Sequence, residues 1–318
     1  MPAFCVALAA WASRSALLAA SPRPGPRPLV LRSPSGDRSH LESYPAASWP
    51  EDPVKLAVFE KINEDRLKAR LPPVAWDESV ARVADAFCAQ QVAERTRGHF
   101  LMDGIPPYAR TGFAGVYGKG SENSVSWLTT ASSFSEPTVN LALSGQKDMM
   151  AERPPSDGHR RSILDSEATH VGVGYAIERG RFQMAQEFLV RRLEQLTLKI
   201  SEGAPPAAFF EGKVRPHRAL RFVTIAWEPS PRPLSREEAN ARTSYGYPKP
   251  FLSYIPEGQL QLRVLGTQNQ DRLQLRRDNS FSFTFSPPER GLYTFVFYTS
   301  APEALEPLPG ASATLWFE

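Results

Sequence analysis

The chain has 318 residues, more than one ordinary core accommodates, so two domains and a leader are expected. With 42% apolar and 22% charged residues it has the composition of a globular protein. A net charge of +3 with no long lysine/arginine block excludes a protein that follows a phosphate backbone, so no nucleic-acid partner is expected.

Residues 1–20, MPAFCVALAAWASRSALLAA, are apolar and rich in alanine. Ser13, Arg14 and Ser15 interrupt the stretch and it is short for a bilayer, so no transmembrane segment is expected. Its LAA ending resembles an export signal, although no lysine or arginine precedes it; a mis-assigned start or an unstructured tail are the alternatives. Cys5 would leave with such a signal. Cys88 would then stand alone, and its place among Val80, Val83, Ala84 and Phe87 reads as a small buried hydrophobe. Residues 21–51 read as a proline-rich linker.

Asp52 and Pro53 have the form of an N-cap and first helical residue, and Leu56, Phe59, Ile62 and Leu67 recur at helical spacing. Asn63 and Arg66 fall toward that stripe and read as buried hydrogen-bonding residues that fix loops. LPPVAW must be extended, because each proline pushes its predecessor out of the helical region. Asp77 caps a second predicted helix whose stripe runs from Val80 through Phe87 to Val92, with Gly98 as its left-handed stop and His99 directly after it.

Further on, KGSENSVSW holds Glu122 and Asn123 among small residues. Asp157 is expected to cap a short helix with His159 in its first turn, where the helix dipole disfavours an imidazolium and leaves a neutral ring suited to a metal or to general-base work. THVGVGYAIERGRFQMAQEF reads as a β-hairpin turning at ERGR. His170 lies at a strand entrance and reads as structural, and His217 lies in a proline-flanked linker. Ser121 and Ser124 lack a GxSxG context, so a serine hydrolase has little support.

The succession INEDR, LPPVAWDESVARVADAFCAQQVAE, GHF, SEN, DGHRRSIL, HVGVGYA and AQEF resembles the CAP superfamily, the SCP/PR-1-like domain of secreted proteins, in its bacterial form. The resemblance runs from about residue 54 to 190 and implies an α-β-α sandwich with a cleft of two histidines and two glutamates. It assigns the first histidine to His99, the glutamate of the family's GEN to Glu122, with Ser121 in place of the glycine, and the histidine of GHR to His159. Glu152 is the nearest acid for the second glutamate. The cleft would take a small ligand through these four residues, or zinc or another divalent cation through His99, His159 and Glu122. Such donor types suit zinc with one position open to water. No HExxH pair places two ligands on one helix turn, so the set depends on distant loops meeting. A structural alternative has His99 capping carbonyls, Glu122 paired with Arg160 or Arg161, and the His159 ring merely hydrogen-bonded.

After about residue 192 the texture changes. LTLKI, ALRFVTIAW, QLQLRVLG, SFSFTFS, GLYTFVFYTS and ATLWF are short alternating runs between Pro, Gly, Asn and Asp. They suggest an all-β sandwich of roughly immunoglobulin type, an accessory domain for docking or spacing. The expected organisation is therefore α+β: a possible signal at 1–20, a linker at 21–51, a CAP-like domain at 52–192 and a β-sandwich at 193–318. Two functional classes follow. One is a secreted or cell-envelope protein whose cleft binds an ion or small ligand while the protein acts on a lipid, glycan or surface protein. The other is a metal-assisted peptidase or esterase with Glu122 as base.

Overall fold

The computed structural model describes residues 49–201, 206–259, 263–301, 304 and 306–317; the leader and most of the linker expected at the N-terminus lie outside them. Helix α1 (Pro53–Lys68) starts at Asp52, whose Oδ1 accepts from Val54 N at 2.9 Å and Lys55 N at 3.1 Å. It leads through β1 (Ala75–Trp76) to α2 (Glu78–Glu94), capped by Asp77 through Val80 N at 3.1 Å. The expected stop at Gly98 is corrected: α2 ends at Glu94 and the stop lies three residues earlier, where Arg95 itself takes the left-handed conformation at φ 58°. Gly98, at φ 80°, belongs to the turn that follows and redirects the chain into His99.

Helix α3 (Pro107–Phe113), strand β2 (Lys119–Leu128), α4 (Thr138–Ala151) and α5 (Gly158–Ile163) precede the hairpin of β3 (His170–Glu178) and β4 (Arg181–Val190). The strands form one sheet in the order β1-β3-β4-β2, so β2 is an edge. Alternation along β4 sends Phe182, Met184 and Phe188 into a core shared with Val58, Phe59 and Ile62 of α1 and Leu141 and Met149 of α4. Ala185 goes instead to the cluster of Ala84, Phe87 and Cys88 on α2. Close contact with α2 is set by two glycines. A Cβ at Gly172 would lie 2.3 Å from Ala81 N, and one at Gly174 would lie 2.2 Å from Asp85 N. Cys88 is fully buried there, as a small hydrophobe should be. Arg66, also fully buried, donates to Pro72 O, Ile163 O and Asp165 O, while Asn63 pairs with both backbone groups of Val74.

The C-terminal half is β5 (Leu193–Ser201), β6 (Ala207–Val214), β7 (Ala219–Glu228), α6 (Arg236–Ala241), β8 (Pro250–Pro256), β9 (Gln268–Leu275), β10 (Ser280–Phe285), β11 (Gly291–Ser300) and β12 (Leu308–Phe317). It is β-rich, as the sequence indicates, but the sandwich expectation is corrected. All eight strands belong to one hydrogen-bonded sheet, β12-β11-β7-β8-β9-β10-β6-β5. Both end strands supply side chains to the same core, Leu196 and Leu198 from β5 and Leu315 and Phe317 from β12, so the sheet curls around one aromatic interior. Residues 260–262 of QLQLRVLG are outside the described set, and the described remainder of that run is not strand. His217 sits at φ 63° in the turn between β6 and β7 rather than in a linker.

The two halves are packed together. Arg192 N donates to Gly310 O at 2.7 Å, Ser312 Oγ donates to Gly118 O at 2.9 Å, and Gly112 of α3 lies against Thr314 of β12. The chain between β7 and β8 reaches back over the N-terminal half. Leu234 N donates to Met102 O at 2.8 Å, Arg236 Nε to Glu94 O at 3.0 Å, and Asn240 Oδ1 accepts from Arg97 N at 2.8 Å.

Candidate functional site

The turn after α2, the edge strand β2 and the start of α5 converge. His99 Nδ1 lies 2.8 Å from Glu122 Oε1, and His159 Nδ1 lies 2.5 Å from Glu152 Oε1. The two imidazole centroids are 6.1 Å apart. The four expected residues thus form two neighbouring His–Glu dyads. His99 is 8% exposed and Glu122 3%, while His159 is half-buried.

Neither carboxylate is free. Glu122 Oε2 accepts from Arg110 Nη2, a guanidinium that also lies 4.0 Å over the Phe87 ring and donates to His99 O at 3.0 Å. The alternative pairing of Glu122 with Arg160 or Arg161 does not occur; Arg110 takes that place. Glu152 Oε2 accepts from His159 N at 3.0 Å and Arg160 N at 3.3 Å. This corrects the expected role of Asp157, whose side chain makes no cap bond. Glu152 covers the first amides of α5 while it orients the His159 ring. Asn123 Nδ2 ties β2 to this turn through His159 O at 3.1 Å.

Antiparallel pairing places Glu122 directly opposite Glu187 on β4, and Glu187 is 2% exposed. Two buried carboxyls side by side cannot both ionise cheaply. Burial opposes charge on Glu122, but Arg110 and His99 outweigh it and hold the carboxyl below its ordinary range. Burial, then the Glu122 charge, pushes Glu187 well above it. Glu187 is therefore the neutral partner and donates to Glu122. An ionised Glu122 can only accept, so His99 Nδ1 carries the proton toward it, and in the neutral ring Nε2 is the nitrogen with the lone pair.

Two tyrosines from the C-terminal half complete the walls. Tyr245 stands edge-on to His99 with centroids 4.9 Å apart, and its hydroxyl accepts from Glu122 N. The Tyr247 hydroxyl accepts from Gly120 N at 2.9 Å, and its ring stacks on Tyr108 at 4.9 Å. Arg110, Tyr245 and Tyr247 carry no motif in the sequence. Glu187 has a signal in AQEF, as the acid in the buried run of β4. His170 is structural as read: it is buried beside Thr169 Oγ1 at 2.8 Å, and burial with Arg191 nearby lowers its pKa to about 4.

Residues 59–190 match the model of the cysteine-rich secretory protein family, CAP. That segment is a CAP domain. Solved structures similar to the chain include an extracellular SCP-domain protein from Bacillus anthracis str. Ames, at 22% identity and TM-score 0.33 over 45% of this chain and 45% of that one. Others are an outer surface protein from Borrelia burgdorferi, at 16% identity and TM-score 0.36 over 48% and 97%, and the Schistosoma mansoni venom allergen-like protein 4, at 11% and 0.32 over 43% and 88%. Comparison with curated proteins gives no match.

The CAP cleft offers a divalent ion fewer donors than the sequence suggests. Among the described residues no group of three or more His, Cys, Asp and Glu side chains is arranged to hold one. The physical reason is that Glu122 spends both oxygens on His99 and Arg110, leaving the two imidazole nitrogens as the donors. A two-nitrogen set fits weak binding with the remaining positions open, and does not fit a closed structural zinc site. Among the described residues no helix is long and apolar enough to cross a membrane.

Proposed function

We propose that the protein is an exported CAP-domain protein whose His99/His159 cleft binds a small ligand or, weakly, a divalent ion at the cell surface or outside the cell. One observation carries this reading: two histidines, each oriented through Nδ1 by a carboxylate, lie 6.1 Å apart. Carboxylate-oriented imidazoles present Nε2 as a fixed ligand donor. The apolar leader and the CAP domain motivate export, and a lipid, glycan or surface protein is the class of partner on which the whole protein acts.

The hydrolase role has less support. A general base must be within reach of the proton it takes, and Glu122 is enclosed by Arg110, His99 and Glu187. The test is a calorimetric zinc titration of the untagged full chain. Weak saturable binding that disappears in the His99→Ala/His159→Ala double variant is the expected result, and heats indistinguishable between the two proteins would refute it.

A further inference from the structure

The segment between α6 and β8, residues 242–249, has the sequence RTSYGYPK. Its tyrosines do something unusual for a connection inside a β-domain: they lie on the other half of the molecule, at the His99–Glu122 dyad. The strand they meet, β2, is the sheet edge. Its outward amides at Gly120 and Glu122, two residues apart, are taken by the hydroxyls of Tyr247 and Tyr245, also two residues apart. Gly246 between them is exposed, and a Cβ added there would meet nothing within 4 Å. Side chains at alternate positions turned one way and the middle residue turned to solvent is how an extended chain presents itself to a surface.

The segment is held by side chains and little else. Among the described residues 243–249 make no backbone–backbone hydrogen bond outside regular elements, whereas both flanks are anchored, α6 to the CAP domain and β8 within its sheet. A short irregular strap between two fixed points, attached through the Tyr245 and Tyr247 side chains and through Arg242 over the Phe100 ring, can lift without breaking a ladder. Behind Tyr245 there is room: a cavity of about 350 Å³ lined by Phe100, Pro106, Tyr108, Arg242, Tyr245 and Leu292 among others.

We propose that residues 242–249 are a tethered ligand of the CAP cleft, and that the cleft with this strap lifted takes an extended polypeptide segment bearing tyrosines at alternate positions. This rests on the reading of the cleft as a binding site and names its ligand class. Tethering supplies a local concentration of order millimolar, so a segment in trans must compete with the one in cis.

The test uses the full chain and a fluorescent peptide RTSYGYPK. The Tyr245→Ala/Tyr247→Ala variant is expected to bind the peptide saturably, and the wild-type protein at least about tenfold more weakly. Adding His99→Ala to the opened variant should weaken the peptide about three- to tenfold, through loss of the ring contact. Equal binding by the wild-type and opened proteins, or no binding by an opened variant with native circular dichroism, overturns the proposal. If the opened variant takes zinc but not peptide, this inference fails and the binding-site reading stands; if it takes neither, both fail. Should the double alanine variant not fold, Tyr245→Phe/Tyr247→Phe keeps the rings and removes the hydroxyls. Modification of His99 by diethylpyrocarbonate should then quicken at least about tenfold, as expected for loss of the hydroxyl hydrogen bonds to Gly120, Glu122 and Ser312, and an unchanged rate overturns the proposal.

Discussion

The two halves of the molecule solve burial in opposite ways. The CAP half places Asp65, Arg66, Asp77, Arg110, Glu122 and Glu187 inside, each in contact with hydrogen-bond partners or an opposite charge. The C-terminal half, from residue 193 on, buries no charged side chain among the described residues. Its interior is Phe210, Tyr254, Phe281, Phe283, Phe285, Tyr293, Phe295 and Phe297, with ring contacts such as Phe210 on Phe283 at 4.7 Å. Buried charge gives little net stability but holds groups in fixed protonation states, and close-packed rings give stability without chemistry. The site accordingly lies in the first half. The second half braces it and extends a strap across it.

Arg110→Ala should break the comparison hardest. It leaves Glu122 buried without its cation and removes the contact with Phe87, a loss of about 4–5 kcal/mol in denaturant unfolding at neutral pH. A loss under about 1 kcal/mol would mean that the carboxylate is solvated in a way the fold does not provide. Phe210→Ala should cost about 3–4 kcal/mol by emptying the middle of the aromatic core, and by the same amount across the acid and neutral range, because the titratable groups of that core are tyrosines raised by burial. A pH-dependent loss would show that the second half is not the dry scaffold described.

Glu187→Gln should cost under about 1 kcal/mol at neutral pH, since an amide can replace a neutral carboxyl as donor. Its effect on the pH profile should be larger. Glu122, held down, contributes stability that is present above the ordinary carboxyl value of 4.5 and lost as pH falls through its folded pKa. Glu187, held up, contributes stability that is full below 4.5 and lost as pH rises from there through its folded pKa. The wild-type curve should therefore decline more steeply on the alkaline side of 4.5 than the Glu187→Gln curve, since Asp85 and Glu94, also raised by burial, contribute equally to both. Parallel curves would contradict a neutral Glu187.

What the sequence carries and what it hides follow the same division. Capping by Asp52 and Asp77, the stripe of α2 and the hairpin at ERGR are local, and the chain realises them where the residues indicate. His99, Glu122 and His159 meet because GHF, SEN and DGHRRSIL lie in a familiar order, and Glu152 joins them as the partner of His159. Arg110 is invisible and the role of Glu187 is hidden within AQEF because their importance is a matter of register: only when Glu122 stands opposite Glu187 does a buried like-charge pair exist, needing a proton and a guanidinium. Tyr245 and Tyr247 are hidden more deeply, since they sit 123 and 127 residues along the chain from the amides they cover. Alternation in SFSFTF fixes which side chains face in, but not whether strands divide into two sheets or continue as one, which explains the sandwich expectation. Gly98 drew the helix stop away from Arg95 because a left-handed arginine has no compositional mark.

The central claim is that carboxylates orient both imidazoles so that Nε2 of each faces the cleft as a donor. Long-range proton–nitrogen spectra of the histidine rings at about pH 8.5, where ordinary imidazoles are neutral, read this directly. The expected spectrum has His99 and His159 protonated on Nδ1 and bare on Nε2, and zinc then shifts the Nε2 resonances of both rings together. Rings protonated on Nε2, or zinc shifting one ring and leaving the other in place, would contradict it.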